Sequence, residues 1–144
     1  MDKPSFSNRK KARRYALQAL YGWAVSQNPL SEIEKHVLLE HPAEEFDKEY
    51  FCQLLYEVPK NIETLETLMS PYLTRKLEDL GLIELTILRI SVYELQERID
   101  IPYRVVINEA LELAKTFAAP DSHKFVNGVL DKVAKQLRAT EFSK

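Results

Sequence analysis

The sequence predicts an all-α fold, and two observations carry that prediction. Apolar residues recur at helical spacing along nearly the whole chain, while alternating strand patterns are scarce. The 144 residues include only three glycines, and no Asn-Gly or Asp-Gly pair lies between alternating segments, since Asn127-Gly128 sits inside a helical pattern. The length fits one domain, or two small sub-bundles sharing a core, and it can bury that core without a disulfide or a metal.

The first helix is expected over residues 8–27, within "NRKKARRYALQALYGW" and the residues after it. Ala16, Leu20 and Trp23 form one apolar stripe, and Leu17, Tyr21 and Ala24 form a second beside it. A helix this apolar around its circumference is expected to be covered on several sides, and so to be central. Asn28-Pro29 closes it, because the residue before proline avoids the helical region. Ser31 and Glu34 read as a capping box for a short second helix to about residue 39. The loop "EHPAEEFD" leads into a third helix, "YFCQLLYEVPKNIETLETLM", with a kink or break expected at Pro59. Ser70-Pro71 ends the segment, which makes the first half a three-helix unit and "SPYLTRKLEDLG" the joint.

The second half is expected to begin with a short helix over residues 75–80, stopped by Gly81. A helix through "LIELTILRISVYELQER" follows, with Ile83, Ile87, Ile90 and Leu95 on its buried side, and Asp100-Ile101-Pro102 breaks it. "YRVVINEALELAKTFA" is the next helix and buries Val106, Ala110, Leu113, Ala114 and Phe117. The last helix lies in "PDSHKFVNGVLDKVAKQLR", capped by Asp121 or Ser122. Gly22 and Gly128 fall in helix interiors, where each costs about 1 kcal/mol relative to alanine. They are read as points of close approach to another helix.

Enzymatic chemistry finds no support in these patterns. Asp121, Ser122 and His123 are the residue types of a hydrolase triad, but they are consecutive, and neighbours on a helix point in different directions. Glu109 and Glu112 have a metal-ligand spacing without an accompanying Glu-x-x-His. No glycine loop for phosphate and no Cys-x-x-Cys occurs. The single cysteine, Cys52, forms no internal disulfide, which suits a reducing cytoplasm, and it is expected to be a small core residue. No apolar run approaches the ~18 residues of a membrane span. The basic start and the apolar stretch after it are read as a helix rather than a targeting segment. Gln18, Gly22 and two bulky aromatics interrupt the stretch, and no small-residue cleavage site follows. The expectation is a non-enzymatic protein of the cytoplasm, without cofactor, metal or membrane.

Charge is distributed unevenly. The chain carries a net −2, yet residues 1–14 hold six basic residues against one acid, and residues 15–68 hold three against ten. Arg9, Lys10, Lys11, Arg13 and Arg14 crowd six positions at the start of the first helix. Cations at a helix N-terminus are unfavourable by about 0.3–1 kcal/mol each. Two readings stand: a solvated face, or a site for an anionic polymer whose phosphates neutralise the cluster. The start of the last helix offers backbone donors, His123, Lys124 and Phe125, either as an ordinary cap or as a phosphate and base site. With Tyr72 and Arg75 at the joint, these would make a track for a single strand. RNA is favoured over duplex DNA because no helix-turn-helix or extended basic reading helix occurs.

Five blocks carry a resemblance to a known family: "ARRYALQALYGW", "PYLTRKLEDLG", "LRISVYEL", "VVINEALELAK" and "DSHKFVNGVLDKVA". In this order, from about residue 9 to residue 133, they resemble the NusB family of bacterial transcription antitermination factors. The resemblance implies seven helices in two small bundles, here about residues 8–69 and 70–138 of a single RNA-binding domain that shares the first helix as its centre. It also implies an adaptor that pairs with the ribosomal protein NusE. Together they would bind single-stranded boxA RNA of nascent ribosomal transcripts within the elongation complex and suppress premature termination. Related helical modules are fused to methyltransferases, and the absence of catalytic motifs makes the free factor the expectation. The resemblance maps RNA contacts onto Arg9, Lys10, Lys11 and Arg13, onto Tyr72 and Arg75, and onto Asp121, Ser122, Lys124 and Phe125. It places Tyr21, Glu78 and Glu84 on the NusE side. Lys10 and Lys11 depart from an arginine-rich start, which loses bidentate phosphate geometry. "FAAPD" carries alanine where relatives often carry glycine. The alternative is a helical protein–protein module whose basic tip is merely solvated.

Overall fold

The computed structural model describes residues 6–142, and those residues contain helices and turns but no strand. The α-helices run in the order α1 (Phe6–Ser26), α2 (Leu30–Glu40), α3 (Lys48–Lys60), α4 (Ile62–Met69), α5 (Leu82–Glu97), α6 (Tyr103–Phe117), α7 (Ser122–Leu137) and α8 (Ala139–Phe142). Single 3-10 turns occupy Ala43–Glu45, Ser70–Tyr72 and Leu77–Asp79. The helix beyond the seven expected is the four-residue α8.

The chain divides into two compact units between Lys60 and Asn61. Pro59 explains the break. It lies in the last turn of α3, and Asn61 leaves the helical conformation (φ −113°, ψ 14°) before α4 begins. Helix α4 then packs on α5, burying Leu65 and Met69. Glu66 accepts two hydrogen bonds from Arg89, 3.0 Å from Nε and 2.7 Å from Nη2.

In the first unit α1 packs on α3 and more lightly on α2. Ala12, Ala16, Leu17, Ala19 and Leu20 are buried, as are Phe46, Tyr50, Phe51, Leu54, Leu55 and Val58. The two expected stripes of α1 are therefore only partly covered: Arg14, Gln18, Tyr21 and Val25 lie exposed at helical spacing along one line. The helix ends at Gln27, which takes a left-handed conformation (φ 59°) and turns its side-chain amide back onto the carbonyls of Trp23 and Ala24. Helix α2 has no fully buried residue. The expected capping box is absent: Pro29 holds the N-cap position and no side chain caps the helix. Glu34 instead ties α2 to α3, accepting the Tyr56 hydroxyl at 2.5 Å and the Cys52 thiol at 3.6 Å. That carboxylate, through its hydrogen bond, pushes the Tyr56 hydroxyl up to about 12. Burial, followed by the same carboxylate, pushes the Cys52 thiol up to about 11, so Cys52 is a poor nucleophile in a half-buried packing position.

In the second unit α5 packs against α4, α6 and α7. From Glu84 to Leu95 only Arg89 escapes full burial, so α5 is the helix enclosed on all sides. Ile87, Ile90 and Leu95 are buried as expected, while Ile83 is half-buried. The helix expected over residues 75–80 is a 3-10 turn, and Gly81 sits at the N-cap of α5 rather than terminating a helix. Helix α6 buries Val106, Ala110, Leu113 and Ala114, with Phe117 half-buried. The C-terminal end of α5 is closed by Arg138. Its guanidinium donates to the carbonyls of Leu95 (2.8 Å), Ile101 (2.9 Å), Arg98 (2.9 Å) and Glu94 (3.2 Å), and it pairs with Glu141. A cation among the last carbonyls of a helix opposes the macrodipole and satisfies acceptors left without intrahelical partners.

Gly22 and Gly128 do not mark close helix approach. A methyl group built at either would meet no atom within 4 Å beyond its immediate chain neighbours and its own helix backbone. Replacing either with alanine is expected to stabilise the fold by about 0.5–1 kcal/mol, seen as a higher urea midpoint in equilibrium unfolding. A second expectation concerns alkaline pH. The Cys52 and Tyr56 protons are held more tightly in the folded state than their ordinary values of 9.0 and 10.0. The stability they add is intact below pH 9 and is lost as pH rises to about 12. Tyr56→Phe should flatten this alkaline decline in melting temperature.

Candidate nucleic-acid interface

The basic start of α1 is organised by Asp47, the residue immediately before α3. One carboxylate oxygen accepts the Tyr50 amide at 3.0 Å, capping α3. The other accepts Arg9 Nε at 3.2 Å, and the Asp47 amide donates to the Asn8 carbonyl at 3.1 Å. The Arg9 guanidinium lies 4.3 Å from the centroid of the Tyr50 ring, and that of Arg13 lies 5.4 Å from the same centroid. Beside this cluster Tyr15 stacks on His41 at 3.9 Å and meets Phe46 edge-on at 5.0 Å, and Phe46 meets Phe51 at 5.7 Å. Phe46 precedes Asp47 in sequence, so the aromatic cluster fixes the loop that carries the carboxylate.

The basic residues thus fall into two groups. Arg13 is 2% exposed and packs against Tyr50. The guanidinium expected to meet phosphate thus lies inside the tip rather than at its surface. Arg9 is partly exposed and pinned by Asp47. Lys10 and Lys11 are half-buried along their stems. Lys10 Nζ stands 5.5 Å from the Phe6 ring centroid, and Lys11 Nζ stands 3.5 Å from the Glu45 carbonyl oxygen. Arg14, outside the residues the resemblance mapped, is exposed. The helix already runs from Phe6, so Lys10, Lys11, Arg13 and Arg14 sit beyond the first turn, and the macrodipole penalty falls less heavily on them than the sequence suggested.

In the second unit, Arg75 Nη2 donates to Glu84 Oε1 at 3.2 Å, and its guanidinium lies 4.1 Å from the Phe125 ring centroid. The joint, the start of α5 and the start of α7 meet there. Glu84, expected on a partner-facing surface, is 5% exposed, and its carboxylate accepts Arg75. Glu78 is exposed, and Tyr21, in the first unit, is 39% exposed. Tyr72 does not join Arg75 and Phe125. Its hydroxyl donates to Gln136 at 2.6 Å, three turns further along α7. Asp121 occupies the N-cap position of α7 in a left-handed conformation (φ 69°, ψ −1°), and its side chain does not cap the helix. It pairs instead with exposed Lys124 at 3.4 Å. Ser122 is half-buried at the first position of α7. Among the described residues no group of three His, Cys, Asp or Glu side chains could hold a metal, and no helix is long and apolar enough to cross a membrane.

Sequence reasoning missed Asp47 and Tyr50. The helix-start pattern in "FDKEY" could have identified the cap, but the reach of Arg9 across 38 residues has no local signal. Asp47→Ala is expected to destabilise the protein by about 2 kcal/mol through loss of the cap and the Arg9 pair, measured by chemical unfolding. Asp47→Asn keeps an acceptor for the cap and should cost less.

The NusB family model matches residues 10–135. The transcription antitermination protein NusB of Edwardsiella ictaluri (strain 93-146) is 53% identical over 130 residues, covering 90% of this chain and 94% of that protein. The protein of the same name from Colwellia psychrerythraea is 52% identical over 135 residues, covering 94% and 98%. A solved structure of T. maritima NusB superposes with a TM-score of 0.79 at 30% identity, covering the whole of both chains. Sequence and fold agree along nearly the full length: the chain belongs to the NusB family of transcription antitermination proteins.

Proposed function

We propose that this chain is a non-enzymatic RNA-binding adaptor of transcription antitermination. With NusE it binds single-stranded boxA RNA of nascent ribosomal transcripts, in the cytoplasm and as part of the elongation complex, and so suppresses premature termination. The observation that carries the reading is the start of α1. Two guanidinium groups are used to build the tip, while Arg14 is exposed on it and Lys10 and Lys11 are half-buried beside it. Phosphates of a flexible strand suit such a ridge, because binding releases their counterions. The second unit offers Arg75 over Phe125 and, at the start of α7, Ser122 and exposed Lys124, with Asp121 beside them. A guanidinium plane and an aromatic ring are surfaces on which unpaired bases stack. Tyr72 is the weaker member of this set, since its hydroxyl is engaged by Gln136. Toward NusE we place Tyr21 and Glu78, with the exposed Val25 extending the apolar line of α1.

The test is a titration of boxA-like and scrambled RNA, with and without NusE, across salt. With roughly four phosphate contacts, the slope of log affinity against log salt is expected near −3. Replacing Lys10, Lys11 and Arg14 together with alanine should make the slope shallower by about 2. A salt-insensitive complex, or unchanged binding by the triple variant, would favour the protein–protein module with a solvated tip.

A further inference from the structure

Phe6 is 63% exposed, an aromatic ring that the fold leaves in water. Its surroundings differ from those of three other exposed large apolar residues. Leu39 and Ile99 each adjoin an acid, Glu40 and Asp100, and Tyr56 donates its hydroxyl to Glu34. Phe6 stands in a stretch, residues 6–14, that holds five cations and no acid. Lys10 Nζ lies 5.5 Å from its ring centroid, and Phe6, Lys10 and Arg14 follow one another at four-residue spacing along one ridge of α1. An exposed aromatic beside a line of cations is the composition of a single-strand site: every base has a face to stack, and the cations track the backbone.

We propose that Phe6 is a base-stacking subsite, on which an unpaired nucleobase lies while Lys10 and Arg14 hold the adjoining phosphates. This rests on the RNA reading above and extends it to a residue that reading does not use. A face-on stack needs only a π surface, so the subsite tolerates any base. It adds affinity without adding a phosphate contact.

The full-length protein and its Phe6→Leu, Phe6→Trp and Arg14→Ala variants are titrated with a boxA-like single-stranded RNA at several salt concentrations, alongside thermal melts. Phe6→Leu should weaken binding about five- to tenfold with an unchanged salt slope and an unchanged melting temperature. Phe6→Trp should restore wild-type affinity, whereas Arg14→Ala should make the slope shallower by about 0.7. Wild-type affinity in Phe6→Leu, with weakened binding in Arg14→Ala, overturns the stacking subsite and leaves the RNA reading standing. A Phe6→Leu loss that comes with a shallower slope or a lower melting temperature also overturns it, because the ring would then act through Lys10 or through packing. Absence of RNA binding by the wild-type protein at every salt concentration overturns the RNA reading and the subsite together.

Discussion

The position of the basic tip depends on one carboxylate. Asp47 caps α3 through the Tyr50 amide, holds Arg9 by its second oxygen, and receives the start of α1 through its own amide and the Asn8 carbonyl. Hydrogen bonds to a charged group are worth about 1.5–3 kcal/mol, enough to hold a helix end that would otherwise fray. The loop that delivers Asp47 is in turn anchored by Phe46 against Tyr15 and Phe51. The consequence for function is geometric. Cations on a fixed helix present a line of charge, whereas cations on a frayed tail would have to be ordered by the ligand at an entropic cost.

The chain uses its basic residues in two ways, and their number alone says little about binding. Arg13 and Arg9 pack on Tyr50, Arg89 binds Glu66 between α4 and α5, and Arg138 closes the end of α5. These side chains hold the fold. Arg14 and Lys124 are exposed, Lys10 and Lys11 are half-buried, and Arg75 lies between the two groups, 44% exposed yet fixed by Glu84 and Phe125. A guanidinium immobilised before its ligand arrives loses less freedom on binding. The same logic gives Glu84, a negative charge, a use beneath Arg75: it fixes the guanidinium.

The periodic features of the fold were legible in the sequence, and the nonlocal ones were not. The spacing of Val106, Ala110, Leu113 and Ala114 predicts the buried face of α6 because a helix repeats its environment every three to four residues. Pro59 predicts a break because its effect is confined to its own turn. The boundary between the units lay beyond such reasoning, since it depends on the choice of α4 to pack on α5. Ser31 and Glu34 have the spacing of a capping box, but Glu34 has a better use in the Tyr56 hydroxyl, 22 residues away. Local spacing could not reveal that Arg13 points inward or that Glu84 serves Arg75. The basic run itself was legible; which of its members face outward had to come from the structure, as did Asp47. Gly22 and Gly128 were misread because a helical glycine can be a packing site or merely an open position, and composition does not distinguish them.

The most direct test of the account is backbone amide chemical-shift mapping of the full-length protein titrated with boxA-like single-stranded RNA. The account predicts the largest shifts at residues 6–14 of α1, with a second group around Arg75 and the start of α7, and little change at Cys52 or Tyr56. RNA binding that leaves the α1 start unperturbed while moving amides elsewhere would contradict it.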